Sequence, residues 1–521
     1  MYFDYLNSGV DIHPEQPGIV RLSGTTEVGL RADYGAAMRR GYIDMPLSRR
    51  GGGEYLALRK QRRKDLEAIL RTGLDGGNRE KALDLICAIC GETGWAAEHE
   101  GTFDDEAHPA IDIMATSTAC LLAWTAREGG FESNVRTYIL RQLRRRIFMP
   151  LIAHDDYACL RGDTPRALSM LCQAMAAALL LEGDAARRSA FLRRAARAAD
   201  AIIDAPDYLW PLGDMLSDWT EAAALWRLCR EMTGPQLAAR PLPRPQWLDA
   251  LLIAHLGGGL FVDRRAGGLT EDINGADIYF LGNMAGDRAA EALGAFVYDK
   301  APRELSSLSA RLTLDPTMEL ISNRAAAPRF RHAAQDDGGL LSARGGGAYV
   351  TMHAGGRANA GGFCAYLDEA PVLFACGAGD VLIDGAPLTD ACGQGDCDFG
   401  ERRADMSVDM TAALPDKAGV RFMQRTAMLD RDTGVTRIID VAECERPAEI
   451  AYAFDTPLEP AVSPGGAVLG NCRFTWDGEM EPRVTRRAPA PGFPEGAYRI
   501  GLVYRLRAGS NIINFMLEPV Q

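Results

Sequence analysis

The sequence predicts an α+β multidomain protein, with a helical N-terminal domain followed by a C-terminal antiparallel β-sandwich. Three observations predict it. At 521 residues the chain is too long for one ordinary hydrophobic core. Its apolar residues recur with a helical period from about residue 54 to residue 320. Beyond residue 326 the period becomes two. The expected boundaries are therefore 1–325 for the helical domain and 326–521 for the sandwich.

Within the first part, Leu168, Leu171, Cys172, Met175, Ala176, Leu179 and Leu180 follow the i, i+3, i+4, i+7 template. Phe191, Ala195, Ala198 and Ile202 repeat it in the next segment, and Ala222, Leu225, Cys229 and Met232 in a later one. Short breaks such as Glu182-Gly183-Asp184 separate them, which suggests antiparallel helical hairpins packed in series. The Gly-rich stretch AAAPRFRHAAQDDGGLLSARGGG reads as the connection to the second domain. After it, AYVTM, FCAYL, PVLFAC, MSVDMT, VRFMQRTAML, VTRIIDV, AEIAYAF, YRIGLVYRLR and NIINFML read as strands separated by Gly, Pro and Asp turns.

Composition narrows the partners. A net charge of −13 argues against non-specific nucleic-acid binding, which needs a basic surface. No run approaches the roughly 18 apolar residues of a membrane helix. The opening MYFDYLNSGVDIHPEQ has neither the basic nor the apolar region of a secretory signal, so a cytoplasmic location is expected, or a periplasmic one if a leader precedes it. Twelve cysteines are too sparse for a disulfide framework and read as small core residues. The local basic excess RQLRRR, Arg141 to Arg146, reads as a solvated helix face.

No nucleophile elbow, zinc-helix motif or dinucleotide fingerprint is present, so no cofactor is expected. Cys87 and Cys90 have CxxC spacing but sit in a helical run without a second pair at zinc-site spacing, and read as packing. Trp95 and His99 stand together in GETGWAAEHE. An aromatic beside carboxylates and an imidazole suits a sugar site, and equally a capped helix end. His154 stands in AHDDYACLRG beside Tyr157 and Arg161; a nearby cation is what a tyrosine needs to act as a base at neutral pH. His353 stands in TMHAGGRANAGG, four residues before Arg357. His13, His108, His255 and His332 have no partner pattern nearby.

Several segments resemble the heparinase II/III-like family of bacterial polysaccharide lyases. LICAICGETGWAAEH is similar to a family helix ending in Trp and His, and IDIMATSTACLLAWT to the following helix. RRRIFMPLIAHDDY resembles the helix and turn that lead to the substrate cleft, and AYLDEAPVLFACGAGD a strand pair of the sandwich. The resemblance implies an (α/α) toroid-like helical domain, a β-sandwich, and an acidic or neutral glycan, such as a uronic-acid oligosaccharide, in the cleft between the domains. Family members cleave uronate polysaccharides by β-elimination: one group neutralises the carboxylate, a base removes the adjacent proton, and an acid protonates the leaving oxygen.

Three family motifs are altered here. RGDTPRALSMLCQ lacks the expected Asn, Asp218-Trp219 stands where a Tyr-Trp pair is expected, and GGRANAGGF replaces a His-Asn-His-Asn-Asp stretch. Arg357 then falls at a His position and Asn359 at an Asp position, and the sandwich metal site lacks ligands, so no metal is expected. The expectation is a catalytically degenerate glycan binder using Trp95, His99, Arg161, Asp218, Trp219, His353 and Asn359. The alternative is an active lyase with Tyr157, His154 and Arg357 as its rearranged catalytic groups.

Overall fold

The computed structural model describes residues 53–74, 77–92, 94–97, 108–204, 212–233, 247–257, 259–263, 268–270, 272–313, 332–334, 340–354, 360–368, 370–375, 379–389, 391, 393–416, 418–478, 482–488 and 496–520, with Phe3 and Leu6. The chain forms two compact units: Met1–Pro243 with Asn274–Ala325, and Arg244–Ile273 with Ala326–Gln521.

In chain order the helices are α1 (Gly53–Thr72), α2 (Gly77–Gly91), α3 (Ile113–Glu128), α4 (Ser133–Leu143), α5 (Met149–Ala153), α6 (Ala158–Arg161), α7 (Ala167–Leu181), α8 (Ala185–Ile203), α9 (Leu212–Thr233), α10 (Trp247–Ala254), α11 (Gly275–Ala285), α12 (Arg288–Lys300) and α13 (Leu308–Thr313). All but α10 belong to the first unit.

Helix α7 is the centre of that unit. It carries no charged side chain, and every residue from Ala167 to Leu181 is buried. The one-sided stripe expected from its sequence is therefore closed on all sides, because α3, α8 and α9 pack around it. Helix α8 shows the amphipathic case. It buries Phe191, Leu192, Ala195, Ala199 and Ile202 and leaves Arg193 and Arg197 exposed. Asp184 caps it by accepting from the Arg187 amide at 3.0 Å. Helices α11 and α12 touch backbone to backbone: a Cβ on Gly294 would sit 2.3 Å from the Tyr279 amide nitrogen, so neither helix tolerates a side chain there.

RQLRRR forms the expected solvated face only in part, with Arg141 and Arg145 exposed. Its second half lies in a π-helical turn, Arg144–Phe148. Arg146 is buried and donates to the carbonyls of Cys90 and Glu92, while Arg144 pairs with the Glu182 carboxylate at 2.5 Å. Arg146 is thus turned inward, while Arg144 stays partly exposed.

A polar network crosses the interior of the same unit. Thr116 donates to the Gln173 side-chain oxygen, and Gln173 donates to Glu221 at 2.8 Å. Ser307 donates to the other Glu221 oxygen at 2.8 Å. Nearby in sequence to Ser307, Ser306 gives its amide to Asp277. Burial pushes the Asp277 carboxyl up to about 7, against the opposing pull of the Ser306 amide. A carboxyl raised on folding holds its proton in the folded state at pH values where the unfolded chain has lost it. Its contribution to stability is therefore full below the unfolded pKa and is lost as pH rises toward 7. Asp277→Asn should remove a slope of up to about 1.4 kcal/mol per pH unit between roughly pH 5 and 7. Urea unfolding at three pH values measures it, and parallel wild-type and variant profiles would refute it.

The second unit holds, among the described residues, a small sheet of three strands and two large antiparallel sheets, of ten and eight strands. The larger includes Ala348–His353, Phe363–Leu367, Ala370–Ala375, Ala448–Thr456 and Ala497–Leu506. In the smaller, Arg403–Asp409, Val420–Asp430, Thr436–Cys444 and Gly509–Pro519 run as successive neighbours. Burial alternates along Thr436–Cys444 as period two requires, with Ile438, Asp440 and Ala442 turned inward. Ile450, Phe454, Phe474 and Phe515 contribute to the common core.

Two expectations are corrected here. The stretch read as a connection contains a strand, Leu340–Gly345, paired with Ala348–His353. Residues 244–273, expected in the helical domain, group with the β unit. They form α10 and a three-stranded sheet, and Arg344 donates to the His255 carbonyl from the larger sheet. Three short strands carry too little periodicity to be recognised within an otherwise helical stretch.

Candidate functional site

The segment that joins α5 to α6 brings titratable side chains together in the helical unit. Helix α5 ends at Ala153, and the His154 amide still donates to the Pro150 carbonyl at 3.0 Å. The His154 carbonyl accepts from Arg194 of α8 at 2.8 Å, which fixes the turn from outside. Tyr157 begins α6, buried to 6% exposure, and its hydroxyl donates to the Pro109 carbonyl at 2.9 Å. That bond draws the segment before α3 against the turn.

His108 arrives with it. Its ring stacks on Tyr157 at 4.5 Å between centroids and meets the His154 ring edge-on at 4.8 Å. Its Nε2 lies 2.9 Å from the Asp156 carboxylate. That hydrogen bond is the leading reason the Asp156 carboxyl sits below the usual carboxylate range. No partner pattern stands near His108 in the sequence, and the structure brings its partners from elsewhere in the chain. Its neighbours lie more than forty residues away in sequence, beyond the reach of a spacing rule.

Beside this turn is a cavity of about 590 Å³, lined by Ile152, Asp155, Leu160, Arg193, Arg194 and Arg197 among others. The three arginines sit at i, i+1 and i+4 on α8, so one turn of an amphipathic helix presents all three to the same concavity. Arg194 is paired with Asp155, while Arg193 and Arg197 are exposed. The motif RRAAR is legible in the sequence as the polar edge of α8, though nothing in it marks the concavity.

The sequence-derived candidates divide sharply. His154 and Tyr157 belong to this cluster, and Arg161 lies on α6 nearby in sequence, paired with Asp163 at 2.6 Å on the exposed surface. That pairing, with the Tyr157 hydroxyl given to a carbonyl, corrects the notion of an arginine-activated tyrosine base. His99, Arg357 and Asn359 lie outside the described residues.

The remaining candidates are interior. Trp95 is 1% exposed, donates its indole N–H to the Ile89 carbonyl at 2.9 Å and lies under the Arg146 guanidinium. It is a packed core residue, not a stacking platform for a sugar. Asp218 is fully buried and accepts from both the amide and the hydroxyl of Ser169. It thereby caps the start of α7 from a neighbouring helix, a place where the chain's own residue is Arg166, held at a left-handed φ of 63°. Trp219 is buried beside it in sequence at 4% exposure. In the β unit, His353 is 2% exposed, enclosed in its strand. The structure therefore corrects Trp95, Asp218, Trp219 and His353 as ligand-contacting surfaces in this conformation. Trp95 and Asp218 are held by hydrogen bonds to the Ile89 carbonyl and to Ser169, and Trp219 and His353 are closed off by burial.

Cys90 is buried as the packing reading expects, whereas Cys87 is exposed on the same helix α2, which corrects that reading for Cys87. Among the described residues the cysteines are free thiols. No described helix is long and apolar enough to cross a membrane.

No family model and no curated protein matches the chain in sequence. Solved structures do match in fold. A chondroitin AC lyase of Streptomyces coelicolor A3, solved in complex with chondroitin sulphate, is 12% identical with a TM-score of 0.56, over 100% of this chain and 83% of that one. Heparinase III is 11% identical with a TM-score of 0.54, over 89% of this chain and 76% of that one. The chain thus has a polysaccharide lyase-like fold, with helices and antiparallel sheets in the same combination.

Proposed function

We propose that this chain is a carbohydrate-handling protein that binds an anionic, uronate-containing glycan on its helical unit without cleaving it by β-elimination. The observation that carries the reading is the arginine-lined concavity on α8. On a chain with a net charge of −13, it is a local reversal of sign that an anionic polymer would recognise. Its mixture of apolar and guanidinium walls suits a sugar ring bearing a carboxylate or sulfate. The fold neighbours act in the same direction, since one of them was solved holding chondroitin sulphate.

Loss of elimination chemistry is inferred from the commitments of the candidate catalytic groups. A phenol that donates to a peptide carbonyl and is almost wholly covered is poorly placed to take a proton from a sugar. A carboxylate that caps a buried helix end, as Asp218 does, supplies no acid where a family Tyr is expected. Coupled catalytic groups act as a set, so displacing several leaves little activity.

Titration calorimetry with heparin, chondroitin sulfate and alginate oligosaccharides tests the binding. The expected result is saturable binding to at least one, weakening with added salt. Arg193→Glu with Arg197→Glu should reduce affinity about tenfold, or about 1.4 kcal/mol, from reversing two exposed charges. Binding unchanged in this double variant would remove the concavity as the site, and no binding across the panel would remove the function.

A further inference from the structure

We propose that His108, His154 and Asp156 form a binding site for a late first-row divalent metal ion, Zn²⁺ foremost, on the helical unit. This goes beyond the glycan reading and stands independently of it. Their potential ligand atoms all lie within 4.8 Å of one another. Tetrahedral Zn²⁺ with ligands at about 2.0–2.2 Å needs donor atoms roughly 3.3–3.5 Å apart. His108 Nε2 and Asp156 Oδ1 are already closer than that, at 2.9 Å, because a proton now lies between them. Replacing that proton by the metal opens this pair slightly. A separation at the 4.8 Å limit has to close by about 1.3–1.5 Å, a movement of the size that side-chain rotation at these partly or fully exposed residues supplies.

The donor set selects the ion. Two imidazoles favour Zn²⁺, Co²⁺, Ni²⁺ and Cu²⁺ over Mg²⁺ and Ca²⁺, which prefer oxygen ligands and higher coordination numbers. Three protein ligands leave a fourth position for water or an anionic oxygen.

The surroundings hold the ligands in place before any metal arrives. Tyr157 stacks on the His108 ring with an interplanar angle of 12° and anchors the adjoining Pro109 carbonyl. Arg194 holds the His154 carbonyl, and the His154 amide is tied to Pro150. A plain surface hydrogen bond between His108 and Asp156 would need none of this from His154. The third ligand, brought edge-on to His108 from another segment, is what points to a metal. Binding would cross-link the segment before α3 to the turn between α5 and α6.

The experiment uses the full chain stripped with a chelator and titrated with Zn²⁺ by calorimetry, with Mg²⁺ and Ca²⁺ as controls. Co²⁺ absorption in the visible reports coordination geometry. Wild type should take up one Zn²⁺ with a Zn²⁺-dependent rise in Tm, and respond to neither control. His154→Ala keeps the His108–Asp156 bond and should leave the metal-free Tm and far-ultraviolet dichroism unchanged. It should nevertheless weaken Zn²⁺ binding by roughly 100-fold or more, since even outer-shell partners account for about 10–100-fold. His108→Ala and Asp156→Asn should weaken it comparably. Equal Zn²⁺ affinity in wild type and His154→Ala would overturn the site, as would failure of wild type to bind.

Discussion

Glu92→Ala should destabilise the helical unit by about 3–5 kcal/mol, the range for removing one partner of a buried ion pair. Glu92 is almost fully buried and faces three arginines of α1: Arg59 at 3.2 Å, Arg62 at 3.0 Å and Arg63 at 2.7 Å. Burial alone would push its carboxyl up, but Arg63, Arg59 and Arg62 together more than offset this and hold it below the usual range. Removing the carboxylate leaves three guanidiniums buried without their anion. It also loosens the segment that follows α2, because Arg59 reaches on to the carbonyls of Gly94 and Ala96. Trp95 lies between those carbonyls, so its fluorescence reports the loss directly. A folded carboxyl below its unfolded value contributes stability above the unfolded pKa and loses it as pH falls. The wild-type unit should therefore lose stability on acidification below about pH 4.5, and the variant should lose less. A shift under about 1 kcal/mol in urea unfolding would contradict the arrangement, because that is the size of an exposed pair.

Arg425→Ala should cost the β unit a similar amount, about 3–5 kcal/mol, for a different architectural reason. Arg425 and Asp440 are neighbours on paired strands of the smaller sheet, and both point into the core, 1% and fully buried respectively. The guanidinium is bidentate on the carboxylate at 2.7 and 2.6 Å and gives its remaining arm to the Gly361 carbonyl at 2.7 Å. Tyr452, on a strand of the other sheet, donates to the same carboxylate at 2.8 Å. The group thus joins the two layers by hydrogen bonds within an otherwise largely apolar cluster. Truncating the arginine strands a carboxylate in that core. Replacing both partners with apolar residues, as in Arg425→Met with Asp440→Leu, should be far milder, since no charge is then left unpaired. Denaturant unfolding of single and double variants separates the cases. A double variant as unstable as the single would refute the account.

Neither feature could be read along the chain. Arg59, Arg62 and Arg63 look like a basic helix face, and their burial follows only from Glu92 arriving thirty residues later. The Arg425–Asp440 pair violates the alternation that otherwise made Val420–Asp430 and Thr436–Cys444 recognisable, because a charge occupies an inward position. Strands and helices with clean periods were legible, including Ala448–Thr456, Ala497–Leu506 and the buried face of α8. Short strands were not: Ala461–Ser463, Gly466–Leu469 and Cys472–Trp476 hold too few residues to show alternation, and their pairing supplies what their sequence does not. The site was legible in part. His154 and Tyr157 were singled out by the company they keep in sequence. His108 was hidden by its distance along the chain, and Asp218 was singled out for a ligand because its capping role exists only once α9 lies beside α7.

The most direct test of binding without elimination is mass spectrometry of size-defined uronate oligosaccharides, heparin, chondroitin and alginate series, after prolonged incubation with the protein. β-Elimination adds no water, so each cut would yield two fragments whose masses sum to the parent, one of them carrying an unsaturated uronate. The account predicts that every oligosaccharide is recovered intact, including those the protein binds. Complementary fragment pairs that vanish in Tyr157→Phe or His154→Ala would contradict it and establish a lyase at that turn.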